Sequence, residues 1–141
     1  MKKKAVSKRA SVRPQTLIAV RDVRASSRWH QHLLGLSALP EHEHRDSYNG
    51  LFSGGRLILQ LHAWDEEEHP NLVNADAAPP GHGVLLWFEA DDFDAAVERA
   101  RSLNAQVIDE PHVNPNAGHR EIWLRDPEGY VVVIASPGKN D

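Results

Sequence analysis

Nine histidines and four tryptophans are the residues of this chain whose side chains could bind a metal ion or a planar ligand. Imidazole is a metal ligand and a proton carrier, whereas the face of an indole ring attracts planar and cationic molecules. In the strand-like segment RLILQLHAW (56–64), alternation places the leucines on one face and leaves Gln60 and His62 on the other. We expect this second face to look into a binding site.

A second strand-like segment, HREIWLR (119–125), carries polar and aromatic side chains at alternate positions. His119, Glu121 and Trp123 share one face, whereas Ile122 and Leu124 are expected to lie on the core side. A metal site built from His62, His119 and Glu121 is conceivable. A single histidine on a strand is more often a hydrogen-bonded or surface residue than a ligand, so this metal site is the less favoured hypothesis.

The elements that must position these residues occur twice, each time as a strand, a helix and three strands. In the first half, TLIAV (16–20) precedes a helix that Asp22 caps, and in the second half GVLLWFEA (83–90) precedes a helix that Asp91 or Asp92 caps. The stretches AVRDVRAS and EADDFDAA are 70 residues apart, which indicates an internal duplication. The predicted strands after the two helices are SALPEHEH (37–44), YNGLFS (48–53) and RLILQLHAW (56–64), then AQVID (105–109), HREIWLR (119–125) and YVVVIAS (130–136).

Composition divides the chain into a leader, one domain and a short tail. The leader is basic and is predicted to be disordered, and the two halves of the domain are joined by a linker rich in acidic residues, proline and glycine. The predicted boundaries are 1–14 for the leader, 15–136 for the domain (module one 15–64, linker 65–82, module two 83–136) and 137–141 for the tail.

Charge and cysteine content exclude several classes of protein. Six of the 16 Lys and Arg residues lie in the first 13 positions, which leaves 10 basic against 20 acidic residues in the rest, a formal net charge of −10. Such a domain repels the phosphates of nucleic acids. The chain has no cysteine and no apolar run of the roughly 18 residues that cross a bilayer. The sequence therefore predicts a cytoplasmic protein without nucleic-acid partners or a membrane span.

Three phrases carry a family resemblance: LIAVRDVRASSRWHQHLLGL (17–36), LLWFEADDFDAAVERA (85–100) and LRDPEGYVVVIAS (124–136). In the last phrase, a turn with proline second and glycine fourth precedes the final strand. Together they resemble the vicinal oxygen chelate superfamily, which includes glyoxalase I, extradiol dioxygenases, fosfomycin-resistance enzymes and bleomycin-resistance binding proteins. The resemblance implies an α+β fold of two βαβββ modules whose mostly antiparallel sheets curl into a cup, and it implies a homodimer.

The metal enzymes of this superfamily hold one divalent ion with side chains from the first and last strand of each module, commonly His or Gln, Glu, His and Glu. The first-strand positions lie seven residues before the helix-capping aspartates, and the final-strand position lies seven residues after Asp126. The matching residues are Gln15, Gln60 or Leu59, Leu85 and Val133. This set has no carboxylate and no imidazole, the groups that bind Mn, Fe, Ni and Zn. We therefore predict that the chain has no metal cofactor.

Tryptophans are then expected to line the cup. If Leu85 faces inward, Trp87 and Glu89 share its face, with Trp123 and Trp64 as further lining residues. An indole ring buries about 150–250 Å² and attracts cations through its face. The sequence thus predicts metal-independent binding of an aromatic or cationic organic molecule. The predicted ligand-binding residues are Gln15, Gln60, His62, Leu85, Trp87, His119, Glu121, Trp123 and Val133.

Two other functions remain open at this point. One is a lyase, isomerase or dioxygenase whose divalent metal is held by relocated histidines, His62 and His119, where the ion would polarise vicinal oxygens. The other is a dimeric interaction module without a small ligand. Whether the protein is an enzyme is not decided by these residues.

Overall fold

The structure is a computed structural model that describes residues 13–36, 46–64, 72–82, 84–116 and 118–138. Residues 1–12 of the predicted leader, the predicted strand SALPEHEH, part of the linker and the last three residues lie outside the described part of the chain. The elements in chain order are β1 (Leu17–Val20), α1 (Val23–Leu34), β2 (Tyr48–Ser53), β3 (Arg56–Ala63), β4 (Leu85–Glu89), α2 (Phe93–Ser102), β5 (Gln106–Val113), β6 (Arg120–Arg125) and β7 (Val131–Ala135).

The described strands form two mixed sheets, one from each module, and do not close into a barrel. The first sheet has the order β1-β3-β2 and the second has the order β4-β7-β6-β5. In each sheet the first strand of the module pairs in parallel with the last, β1 with β3 and β4 with β7, while the other neighbours are antiparallel. The repeated topology confirms the predicted α+β fold of two related modules.

The helices begin at the predicted capping aspartates, and a glycine ends the first of them. The Asp22 side chain accepts a hydrogen bond from the backbone N–H of Ala25, and Asp92, not Asp91, accepts from Ala95 in the same way. Helix α1 ends at Gly35, whose positive φ of 67° suits a residue without a Cβ. Equivalent aspartates thus start the two helices of the duplication.

One apolar core lies between the helices and the inner faces of both sheets. The helix faces predicted from periodicity supply Leu33, Phe93 and Ala100, which are buried. Alternate residues of four strands complete the core. They are Leu59 and Leu61 from β3, Leu86 from β4, Ile122 and Leu124 from β6, and Val132 and Ile134 from β7. The opposite faces of the sheets are therefore the ones left for binding.

Two sequence-based predictions about strands in module two were wrong. Val84, which lies inside the predicted strand GVLLWFEA, is 47% exposed because β4 begins only at Leu85. Strand β5 was expected to end at Asp109, but it continues to Val113. Pro111 does not stop it, because β5 is an edge strand and the missing N–H of proline costs no ladder hydrogen bond there.

The predicted turn from Asp126 to Gly129 is confirmed, and it joins the two modules. Asp126 Oδ1 accepts from the backbone N–H groups of Glu128 and Tyr130, at 2.9 Å and 2.8 Å. The Tyr130 hydroxyl donates to the carbonyl of Ala19 in module one. Burial and the charge of Asp126 raise the pKa of Tyr130, so its hydroxyl keeps the proton that it donates.

Candidate functional site

A pair of tryptophans covers the outer face of the second sheet. Strand register places Trp87 of β4 and Trp123 of β6 on either side of Val133 of β7. Their ring centroids are 6.5 Å apart with the ring planes at 84°, an edge-to-face pair. Val133 is 0% exposed although its side faces away from the main core, whereas Trp87 is 44% exposed. The pair therefore offers an indole surface to a ligand above a sealed apolar floor.

The carboxylate of Glu121 lies buried beside this pair. It is 2% exposed and accepts three hydrogen bonds, from Trp123 Nε1 at 2.9 Å, Asn114 Nδ2 at 3.0 Å and His119 Nε2 at 2.6 Å. His112 Nε2 lies 3.6 Å from Glu121 Oε1. Because the carboxylate is buried and accepts from three protein donors, Glu121 serves to orient its neighbours.

These donors change the acidity of Glu121. Burial raises the pKa of this carboxyl, but the hydrogen bonds from Asn114, Trp123 and His119, together with the charge of His119, outweigh burial and hold the pKa below its usual range. A carboxyl whose pKa is lowered by folding stabilises the folded state above its unfolded pKa, about 4.3 for glutamate, and loses that contribution as the pH falls through the lower folded value.

We expect Glu121→Gln to lower the free energy of unfolding by about 1–3 kcal/mol at pH 7, because the donors lose a charged acceptor. The difference between the two proteins should shrink as the pH falls below about 4.3, where the wild-type carboxylate begins to be protonated in the unfolded chain. Urea unfolding of both proteins at several pH values measures this. A difference that stays constant down to the acid limit contradicts the lowered pKa.

His119 links Glu121 to the tryptophans. It precedes β6 directly, and its ring meets Trp87 edge-on with centroids 5.8 Å apart. Its side chain is 16% exposed, so ligand or solvent reaches part of the ring. The structure thus brings together five of the predicted site residues, namely Trp87, His119, Glu121, Trp123 and Val133.

Gln60 and His62 lie together on the other sheet, on the outer face of β3. Gln60 accepts from the Tyr48 hydroxyl at 2.8 Å and donates to the carbonyl of Gln15 at 3.0 Å. The ring of His62 meets Tyr48 edge-on at 6.4 Å, and its Nδ1 lies 2.7 Å from the carbonyl of Ala63. The described partners of these side chains all lie in module one, and His62 of β3 and His119, next to β6, belong to different sheets.

Gln15 and Trp87 both line a cleft of about 840 Å³, which runs between the start of β1, the β2–β3 turn and the end of β4. Glu89, on the same side of β4 as Trp87, also lines it, together with Arg56 and Arg99. Leu85 is exposed on β4, but it does not line this cleft. Trp87 is therefore the residue shared by the cleft and the tryptophan pair.

The positions that would hold the family's metal ion carry no such ligands here. Gln15 contributes a backbone carbonyl to Gln60, Leu85 is exposed, and Val133 lies under the indoles. Within the described ranges, no group of three or more His, Cys, Asp or Glu side chains converges to hold a metal ion. Metal independence itself stays a prediction, because the residues at the four family positions do not determine whether other residues of the chain bind a metal ion.

Two members of the Glu121 cluster, Asn114 and His112, were missed by the sequence analysis. Both follow from the extra length of β5, whose register places His112 opposite Glu121. Pro111 led to the wrong strand end, because a proline within a strand pattern indicates that the strand stops there, unless the strand is known to lie at the edge of a sheet.

Comparison with known proteins gives a family match along most of the chain. The model of the Glyoxalase/Bleomycin resistance protein/Dioxygenase superfamily matches residues 13–134. A protein described as glyoxalase I from Saccharomyces cerevisiae (strain ATCC 204508 / S288c) is 23% identical over 139 residues, which cover 87% of this chain and 42% of the yeast protein. The chain therefore spans less than half the length of this relative.

Solved structures share the fold. A glyoxalase/bleomycin resistance protein/dioxygenase family enzyme from Burkholderia phytofirmans PsJN has a TM-score of 0.68 and 25% identity, covering 86% of this chain and 94% of that one. Lactoylglutathione lyase from Agrobacterium tumefaciens has a TM-score of 0.62 and 22% identity, with 91% and 95% covered. TioX from Micromonospora sp. ML1 has a TM-score of 0.65 and 16% identity, with 86% and 94% covered. No helix in the described residues is long and apolar enough to span a membrane.

Proposed function

Because this chain belongs to the glyoxalase/bleomycin resistance protein/dioxygenase superfamily, we propose that it uses the family's fold to bind a small planar organic molecule, without a metal ion. The observation that carries the proposal is the edge-to-face pair of Trp87 and Trp123 above Val133. An apolar side chain and two indoles occupy the place where a metal enzyme of this family carries a carboxylate. Such a surface favours stacking of a flat ring over coordination of an ion.

One acidic side chain beside Trp87 favours a cationic ligand, although Arg56 and Arg99 line the same cleft further along. Glu89 is exposed on the same side of β4 and lines the cleft with Trp87, so its carboxylate is available to a bound cation. Glu121 does not serve this purpose directly, because its oxygens already accept hydrogen bonds from protein donors. A cation over an indole face gains about 0.5–2 kcal/mol, depending on how far the site is desolvated.

We also propose that the protein acts as a homodimer in the cytoplasm. Leu85, Ile108 and Val113 are large apolar side chains left exposed on β4 and β5, the two edges of the second sheet. Exposed apolar edges of this kind are covered by association in many proteins. Light scattering of the purified protein tests the dimer, and cell fractionation tests the compartment; a strict monomer contradicts the first.

Binding is tested by isothermal titration of the untagged protein with a panel of planar aromatic cations and their neutral analogues. We expect planar cations to bind, and Trp87→Leu to weaken binding about 10-fold because the exposed indole face is lost. Trp29→Phe is the matched control, because Trp29 is a partly buried residue of α1 that packs against the core. Equal loss in both variants, or no binding across the panel, contradicts the proposal and favours an interaction module.

Metal content separates the proposal from the enzyme alternative. We expect the purified protein to bind planar cations equally well before and after treatment with a chelator. Stoichiometric Fe, Mn, Ni or Zn that disappears in His62→Ala or His119→Ala would instead support a lyase or dioxygenase with relocated histidines.

A further inference from the structure

One ring nitrogen of His119 is hydrogen-bonded within the protein, and the other has no hydrogen bond to a described residue. Its Nε2 lies 2.6 Å from Glu121 Oε2, a carboxylate oxygen that accepts hydrogen bonds. Because folding lowers the pKa of Glu121, this carboxyl is ionised and cannot supply the proton of the hydrogen bond. The hydrogen therefore sits on His119 Nε2. In a neutral imidazole this leaves Nδ1 with a lone pair, which makes Nδ1 a hydrogen-bond acceptor.

The leftover nitrogen is open to a ligand. His119 Nδ1 makes no hydrogen bond to any described residue. Among the described residues, the fully buried polar side-chain atoms without a hydrogen-bond partner are His30 Nε2 and Asp126 Oδ2, and His119 Nδ1 is not one of them. It follows that His119 Nδ1 is not fully buried, in agreement with the 16% exposure of the side chain. The ring also lies beside Trp87, the indole that carries the proposed stacking surface.

The neighbouring histidine differs in each of these respects. His112 Nδ1 lies 2.9 Å from the carbonyl of Glu110, to which it donates, and its Nε2 lies 3.6 Å from Glu121 Oε1, beyond hydrogen-bonding distance. Its side chain is not in ring contact with either tryptophan among the described residues. Within the Glu121 cluster, His119 alone combines a fixed ring, an accessible acceptor nitrogen and contact with the stacking surface.

We propose that His119, oriented by Glu121, is the group that recognises a hydrogen-bond donor on the planar ligand. This inference rests on the proposed function and narrows the ligand to a flat aromatic cation with an N–H or O–H group at its periphery. The ring stacks against Trp87, and the peripheral donor reaches His119 Nδ1. Glu121 acts as a positioning residue, because it sets the tautomer and orientation of the imidazole without touching the ligand.

A pair of dyes tests the preference for a donor. Thionine and methylene blue share one flat phenothiazinium cation, but thionine carries two amino groups where methylene blue carries two dimethylamino groups. The ratio of their dissociation constants is measured in wild type and in His119→Phe, so that the extra methyl surface cancels in the comparison. We expect His119→Phe to weaken the binding of thionine about 3- to 10-fold relative to the binding of methylene blue, which is the effect of losing one hydrogen bond.

The outcomes distinguish this inference from the function on which it rests. Binding of both dyes that depends on Trp87, with the same ratio in wild type and His119→Phe, overturns the role of His119 and leaves the binding site standing. Absence of binding for both dyes overturns the proposed function and this inference with it. A ratio that changes as expected supports both.

The positioning role of Glu121 has its own readout. Nitrogen-15 NMR of the histidine rings distinguishes the two tautomers, and the signals missing in His119→Phe identify this residue. We expect the Nε2–H tautomer in wild type and a shift toward Nδ1–H in Glu121→Gln, because the glutamine amide can donate to Nε2. A wild-type Nδ1–H tautomer, or no shift in a folded Glu121→Gln protein, overturns the assignment.

Discussion

Replacing His30 with phenylalanine is expected to cost about 3–5 kcal/mol of unfolding free energy, because it leaves the Asp126 carboxylate buried without its partner. His30 lies on α1 of module one and Asp126 begins the turn before β7 of module two. Both side chains are 0% exposed, and His30 Nε2 lies 3.3 Å from Asp126 Oδ2. The pair therefore joins the two halves of the duplication inside the core.

Hydrogen-bond geometry sets what this pair requires. His30 Nδ1 lies 2.8 Å from the carbonyl of Ser26, an acceptor only, so this nitrogen carries a hydrogen. Neither His30 Nε2 nor Asp126 Oδ2 has a hydrogen-bond partner among the described residues, so the 3.3 Å contact between them is a close polar contact and not a hydrogen bond. Each atom therefore depends on the contact with the other, because no other described residue supplies a hydrogen bond to either of them.

Asp126→Asn is the matched control. The asparagine keeps the oxygen that accepts from Glu128 and Tyr130, and its amide can donate to a neutral His30 at Nε2. We expect it to cost clearly less than His30→Phe, with urea unfolding as the measurement for both. Equal costs for the two variants would show that packing around His30, and not the polar pair, accounts for the loss.

Local signals made most of the fold predictable from the sequence. Asp22 and Asp92 cap helices because a short polar side chain can accept from the free N–H groups of the first turn, an effect that needs no distant contact. The turn at Asp126 is equally local, since proline and glycine fix its backbone. The repeat then made the order of strands and helices predictable, because the elements recognised in one half are expected at the equivalent positions of the other.

The candidate site was less predictable because it depends on register and burial. Alternation placed Glu121 on the face of Trp123, but it did not show that Asn114 and His119 would enclose the carboxylate. That outcome depends on how far β5 pairs with β6 beyond its irregular register near Asp109. Similarly, nothing in the spacing of His62 and His119 indicates that they belong to different sheets.

Val133 connects the fold to the proposed chemistry. In a metal enzyme of this family, a carboxylate at the equivalent position needs an open site and companion ligands. In this chain the position is fully buried, and the two indoles on the neighbouring strands meet edge to face. The valine that stands in place of a ligand thus also forms the floor of the aromatic surface.

Val133→Glu is therefore expected to destabilise the protein by about 4 kcal/mol or more without creating a metal site. The new carboxylate would enter a fully buried position between Trp87 and Trp123, and burying a charge at a position packed for an apolar side chain is costly. Gln15 and Leu85 supply neither an imidazole nor a carboxylate that could complete a coordination sphere.

The control is Val133→Ala, which removes apolar contacts but adds no charge and should cost about 2–3 kcal/mol. Urea unfolding compares the two variants, and metal analysis after incubation with Mn²⁺, Ni²⁺ or Zn²⁺ tests for a new site. A Val133→Glu protein as stable as Val133→Ala, or one that retains a stoichiometric ion, would mean that the indoles move aside readily. In that case the sealed floor beneath the tryptophans would not be what separates this chain from the metal enzymes of its family.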